Sequence, residues 1–170
     1  TYIYKNDVTK NYPVQATLQK NNESINFVDF STDGLILQSG SVDHDHICYD
    51  TKNGEQFSMP SQVKDIDWST YTLLYGWPVQ GIWPPLKNPK DEEPVCVHRS
   101  NGRKYAAVGD KRGNIKLYNY PVISRDSSFQ FQEAHAGHVG LCRFNANDSN
   151  LVTIGKTDRT ILVWKLLIDA

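Results

Sequence analysis

Two histidines, a cysteine and three aspartates fall within ten residues, "SVDHDHICYD" at positions 41–50. Imidazole and thiolate groups are zinc ligands, and His46 and Cys48 would project from the same face of a strand because they are two residues apart. Together they would form half of a zinc site. The sequence offers no second pair nearby to complete it. We therefore expect a polar turn that leads into a strand, with no metal.

The rest of the chain carries no motif that supports catalysis. It contains no Gly-x-Ser-x-Gly, no phosphate-binding loop and no complete set of metal ligands. The five histidines fall in predicted turns and strands. We therefore predict a protein that is not an enzyme and that uses no cofactor.

Composition limits the class of protein further. The 170 residues suffice for one domain with a sizeable core, and a hydrophobic content of 39% excludes a disordered chain. A net charge of −1 argues against nucleic-acid binding, and no apolar run approaches the roughly 20 residues that span a bilayer. Three widely spaced cysteines in strand-like surroundings indicate reduced thiols in an intracellular protein. Because the chain starts at Thr1, we expect a piece of a longer protein.

The elements that must position these residues are strands, and they repeat. Apolar residues alternate or form short blocks between Gly, Asp, Asn, Ser and Pro. Residues 25–50, 94–119 and 139–165 share the pattern strand, polar turn, strand, Gly-containing turn, strand. The aligned positions are Gly40, Gly109 and Gly155; Ile47, Ile115 and Ile161; and Tyr49, Tyr118 and Trp164. By this alignment, the Gly-to-Ile turn of the first copy holds one extra residue.

Repeated antiparallel units at this spacing are typical of a β-propeller. We predict an all-β fold, a partial β-propeller of about three and a half four-stranded blades with atypical repeats. The predicted segments are 1–23, the end strands of a preceding blade; 24–64, a blade; 65–121, an atypical Trp-rich blade; and 122–170, a terminal blade. A partial propeller leaves sheet edges open, and we expect this fragment to self-associate through them.

In the third copy "AHAGHVGLCRF" precedes "TDRTILVWK", and this copy resembles a WD40 repeat. The resemblance implies a partial WD40-type β-propeller in which 122–170 is the terminal WD40 blade. The resemblance implies a buried hydrogen-bond network that joins His135, the turn residue Asp158 and Trp164 to a hydroxyl on the second strand. Ile154 stands where that Ser or Thr is expected, so we expect the network to be incomplete.

The same resemblance assigns matching roles in the other two copies. The first copy retains Ser39 and Asp43 as network residues, with Asn21 at the position of the histidine. In the second copy Arg112 replaces the aspartate. These roles are structural rather than catalytic.

Residues 65–85, "DIDWSTYTLLYGWPVQGIWPP", contain three of the four tryptophans, Trp68, Trp77 and Trp83. The acidic-Trp, Thr-Tyr-Thr and Gly-x-x-x-x-Gly-x-Trp-Pro motifs resemble the atypical propeller of the echinoderm microtubule-associated protein-like family. "SINFVDFS" and "GDKRGNIKLYNYP" match the same family in the same order. The resemblance covers essentially the whole chain and implies the C-terminal part of the family's second propeller.

The resemblance implies a non-enzymatic, protein-binding propeller of a microtubule-associated protein. It implies tubulin or microtubules as partner and a cytoplasmic location on the cytoskeleton, with no nucleic-acid or membrane partner. The alternative is a generic WD40 scaffold for another complex, ciliary or signalling, which the Trp-rich segment does not favour. Candidate partner contacts are the aromatic residues next to prolines and basic residues that would meet an acidic surface: Trp77, Trp83, Lys87, Lys90, Lys111 and Arg112.

Overall fold

The computed structural model describes residues 1–84 and 93–167. This part of the chain contains twelve β-strands, three short 3-10 helices and no α-helix. The strands form four antiparallel sheets of two, three, four and three strands. None of the helices in these two ranges is long and apolar enough to cross a membrane. The chain divides into two compact units, Thr1–Thr70 and Tyr71–Ala170.

The first unit holds a two-stranded and a three-stranded sheet. Its strands are β1 (Tyr2–Tyr4), β2 (Val14–Thr17), β3 (Ile25–Phe30), β4 (Ile36–Ser41) and β5 (His46–Asp50). β1 pairs with β2, and β3, β4 and β5 pair in chain order. Alternating apolar residues fill its core, which comprises Ile3, Ala16, Leu18, Leu37, Ile47 and Tyr49.

The second unit holds the four-stranded sheet and another three-stranded sheet. Its strands are β6 (Pro94–Arg99), β7 (Tyr105–Asp110), β8 (Asn114–Asn119), β9 (Phe129–Glu133), β10 (Val139–Phe144), β11 (Asn150–Gly155) and β12 (Ile161–Lys165). β9 lies within the predicted terminal segment 122–170, but it hydrogen-bonds to β8 and so completes the sheet of the preceding blade. β12 pairs with β11 and forms one edge of the last sheet.

The first turn of each three-strand meander is built in the same way. Its opening side chain accepts a hydrogen bond from the backbone amide five residues later, at 2.9, 3.0 and 3.1 Å. These opening residues are Ser31, Ser100 and Asn145. The fourth residue of each turn has a positive φ, at Gly34 (72°), Arg103 (58°) and Asp148 (57°). Short polar side chains thus define these turns by bonding to their own backbone.

Strand register supports one part of the sequence alignment and corrects another. Tyr49, Tyr118 and Trp164 occupy equivalent positions, as predicted. However, Gly40 and Gly109 are equivalent to Ile154 and not to Gly155, because these three residues pair with His46, Ile115 and Ile161. The equivalent of Ile115 and Ile161 is therefore His46, and the alignment of Ile47 with them was also one residue out of register. The longer turn therefore belongs to the last sheet, between β11 and β12. The alignment followed residue identity, whereas equivalence is defined by the hydrogen-bond ladder.

Candidate functional site

The structure brings His135, Asp158 and Trp164 together in the last sheet, around a residue that the sequence interpretation missed. Nε2 of His135 lies 2.9 Å from Oγ1 of Thr153, and Nε1 of Trp164 donates to the same hydroxyl oxygen at 2.9 Å. Thr153 is fully buried. The expectation of an incomplete network was wrong because it placed Ile154 at the hydroxyl position, one residue out of register.

Asp158 completes this network from the turn before β12. Its Oδ2 lies 3.3 Å from Nδ1 of His135 and accepts from the backbone amide of Ala136 at 2.9 Å. Its Oδ1 accepts from the amide of Thr160 at 3.1 Å. The amide bonds from Thr160 and Ala136 lower the pKa of Asp158 to about 2. These groups bond to one another and to the backbone, which supports a structural role.

The first unit carries a substituted form of the same network. The hydroxyls of Ser39 and Tyr49 both donate to Oδ1 of Asn21, at 3.1 and 2.9 Å. By strand register, Ser39 and Tyr49 correspond to Thr153 and Trp164. The predicted network residue Asp43 accepts instead from the hydroxyl of Ser41 within its own turn.

In the second repeat a different aspartate organises the turn. The sequence interpretation placed Arg112 at the aspartate position and overlooked Asp110, two residues earlier. Oδ1 of Asp110 accepts from the amides of Arg112 and Asn114, both at 2.9 Å, and its Oδ2 accepts from the side chain of Asn114 at 3.0 Å. The Asp-x-x-x-Asn spacing was the signal that would have identified it.

Trp83 in the Trp-rich segment is held by the fold. Its indole N–H donates to the carbonyl of Leu74 at 3.0 Å, and its ring stacks on Tyr75 with centroids 5.5 Å apart. The carbonyl of Tyr75 accepts in turn from the hydroxyl of buried Tyr71 at 2.7 Å. Since the polar atom of Trp83 already has a partner in the chain, the structure favours packing over partner contact for this residue.

Trp77 is the exposed tryptophan of this segment, with 61% of its surface accessible. It begins the 3-10 helix Trp77–Ile82, whose backbone exchanges two hydrogen bonds of 2.8 Å with Val122. A side chain at Gly81 would overlap the backbone of Val122 and Ser124, so only glycine allows this close approach. Trp77 is thus displayed to solvent from a backbone that tight packing holds in place.

The predicted basic contacts divide into three groups. Lys111 forms an ion pair with Glu93, so the charge of Lys111 is partly neutralised within the chain. Arg112 is exposed in the β7–β8 turn. Lys87 and Lys90 lie outside the described residues.

A polar turn joins β4 to β5, as the sequence predicted, and His46 and Cys48 share a face of β5. Sγ of Cys48 lies 3.6 Å from Nε2 of His46. Desolvation lowers the pKa of His46, against an opposing effect of Asp29, and burial raises the pKa of Cys48 to about 11. Within 1–84 and 93–167, no three His, Cys, Asp or Glu side chains converge as a metal-binding group.

Comparison with known proteins identifies the family. Residues 1–166 match the family model described as the echinoderm microtubule-associated protein second β-propeller. This chain belongs to that family. It is 35% identical over 144 residues to human echinoderm microtubule-associated protein-like 4, covering 84% of the chain and 14% of the relative. It is 28% identical over 167 residues to the 77 kDa echinoderm microtubule-associated protein of Lytechinus variegatus, covering 98% of the chain and 25% of the relative.

The chain therefore spans between 14% and 25% of the length of these two relatives. Among solved structures, it is similar to the β-propeller domain of Cps50 (Swd1) from Myceliophteria thermophila, with a TM-score of 0.65 at 12% identity over 95% of the chain and 59% of that structure. It also matches the computationally designed Ika8 protein, with a TM-score of 0.57 at 16% identity over 92% of the chain and 50% of that structure. The predicted all-β, partial propeller fold is confirmed.

Proposed function

We propose that this chain is the protein-binding part of a microtubule-associated propeller, that it binds tubulin, and that it performs no catalysis. Family membership and the names of its microtubule-associated relatives support the partner and a cytoplasmic location on microtubules. The networks around His135 and Asn21 support a non-catalytic role, because their polar groups form hydrogen bonds with one another within the sheets.

The proposed contact with tubulin is centred on Trp77, because its indole is exposed. Tryptophan is enriched among residues that dominate binding energy, because it combines a large apolar area with one N–H donor. The hydrogen bonds between Val122 and the 3-10 helix hold its backbone before binding, so little conformational freedom is lost on association. Arg112 supplies an exposed positive charge that suits an acidic partner.

The test is size-exclusion chromatography with light scattering, with and without unpolymerised tubulin. We expect a defined complex for the natural chain, and an affinity at least about tenfold weaker for Trp77→Ala, the loss typical of an aromatic anchor. Tyr2→Ala is the matched control, because Tyr2 is an aromatic residue with a similar exposure of 59%. The run without tubulin also measures the predicted self-association through open sheet edges.

Absence of any complex from a folded chain would remove tubulin as the partner and leave the scaffold alternative. An equal loss of affinity in Trp77→Ala and Tyr2→Ala would show that Trp77 is not the anchor. Either result leaves the fold and the family unchanged.

A further inference from the structure

His46 and Cys48 gain a third potential ligand from the neighbouring strand. Gln38 on β4 lies directly opposite Cys48 on β5, and Gly40 lies opposite His46, so all three polar side chains share one face of the sheet. Oε1 of Gln38 lies 3.2 Å from Nε2 of His46, and Sγ of Cys48 lies 3.6 Å from the same nitrogen. The imidazole nitrogen of His46 thus contacts both the sulfur of Cys48 and the amide oxygen of Gln38 on this face.

These separations match those imposed by a tetrahedral metal. Zinc bonds of about 2.0 Å to nitrogen and about 2.3 Å to sulfur place the two atoms about 3.5 to 3.6 Å apart at an angle near 110°. Bonds of about 2.0 Å to nitrogen and about 2.1 Å to oxygen, the length known for carboxylate ligands, place the two atoms about 3.1 to 3.4 Å apart at angles between about 100° and 110°. The amide oxygen of Gln38 can only accept, so Nε2–H of His46 donates this hydrogen bond. An ion would replace the bond, and the imidazole proton would move to Nδ1, which leaves the lone pair of Nε2 for the metal.

The amide of Gln38 is oriented by two residues behind it. Its Nε2 donates to Oδ2 of Asp29 at 3.1 Å, and Oδ1 of Asp29 accepts from the hydroxyl of Thr70 at 2.6 Å. Asp29 and Gln38 are each 1% exposed. Because the amide nitrogen is anchored on Asp29, the amide oxygen faces His46. Such outer hydrogen bonds usually accompany real metal ligands, and the carboxylate adds a negative charge near the ion.

We propose that Nε2 of His46, Sγ of Cys48 and Oε1 of Gln38 bind one Zn²⁺ ion, with water as the fourth ligand. His46 is accessible to solvent, although its neighbours partly desolvate its ring, whereas Cys48 and Gln38 are buried, so the ion enters from the side of His46. The Cys48 thiol loses its proton to solvent as the thiolate–zinc bond forms, one proton for each ion bound. This revises the expectation of a turn without a metal, because the further ligand comes from β4 rather than from the local sequence.

The experiment titrates the whole chain with Zn²⁺ by calorimetry and with Co²⁺ by absorbance. We expect one ion per chain, a near-ultraviolet thiolate-to-cobalt band, and visible bands of tetrahedral intensity. Cys48→Ser should remove the thiolate band, and Thr70→Val should weaken binding about tenfold by loosening Asp29. His44→Ala is the control, since His44 is exposed in the same turn but is not one of the three proposed ligands, and it should bind normally.

A second measurement uses the natural chain, so its result does not depend on whether a variant folds. Zn²⁺ should protect Cys48 of the natural chain from alkylation, as mass spectrometry of the peptides would show. The proposal is overturned if no ion binds to the folded chain, if cobalt binds without a thiolate band, or if His44→Ala loses binding while His46→Ala retains it.

Discussion

The hydroxyl of Thr153 should account for much of the stability of the last sheet. Thr153→Val keeps the shape of the side chain but removes the oxygen that contacts both His135 and Trp164 at 2.9 Å. Each buried polar group left without a partner costs about 1 to 3 kcal/mol. Because two groups lose their partner and a buried methyl group is gained, we expect a net loss of about 3 kcal/mol in the free energy of unfolding.

Urea denaturation followed by circular dichroism measures this loss. With a urea dependence of about 2 kcal/mol per M, the midpoint should fall by about 1.5 M. Hydrogen exchange at the indole N–H of Trp164 should also become faster. The control is Ile154→Val at the position that the sequence alignment had favoured, where removal of one methylene should cost about 1 kcal/mol. A loss for Thr153→Val no larger than that of Ile154→Val would refute the assignment of the hydroxyl to Thr153.

Two other predictions concern turns. The pKa of Asp158 is about 2 in the folded chain, below its ordinary value of 3.8, so its stabilising effect is complete above about pH 4 and disappears as the pH falls through 2. The free energy of unfolding should therefore fall more steeply between pH 4 and 2 for the natural chain than for Asp158→Asn. Equal slopes of the free energy of unfolding against pH for the two proteins would contradict this. Arg103 has a φ of 58°, so Arg103→Gly should stabilise the chain by about 0.5 kcal/mol, which thermal denaturation would detect. Lys104→Gly is the control, because Lys104 does not have a positive φ. This substitution should destabilise the chain. If both variants lose stability, the left-handed turn imposes no strain on Arg103.

Local features of the sequence were enough to predict the class of fold. Alternating apolar residues between turn-forming residues specify short antiparallel strands, since strand side chains alternate between two faces. Three copies of the pattern identified the repeated unit, and the aromatic positions Tyr49, Tyr118 and Trp164 were aligned correctly. The Trp-rich segment identified the family, which the match over residues 1–166 confirms.

The partners of individual side chains could not be read from the sequence. A shift of one residue in strand register moves a side chain to the other face of the sheet, so aligning Gly155 with the other glycines put Ile154 in the place of Thr153. The exposure of Trp77 and the internal hydrogen bond of Trp83 were equally hidden, because both tryptophans stand next to prolines.

The amino-acid sequence by itself determined the strands, the turns and the family of this protein, because these depend on residues that are close together along the chain. The tertiary structure alone decided which distant polar atoms meet. The side chain of Gln38 contacts His46 on the neighbouring strand. In the first unit Asn21 takes the role that His135 has in the last sheet, because it accepts a hydrogen bond from the hydroxyl of Tyr49, 28 residues away. Such contacts arise from the hydrogen-bond ladder and from the need to satisfy polar groups that folding buries.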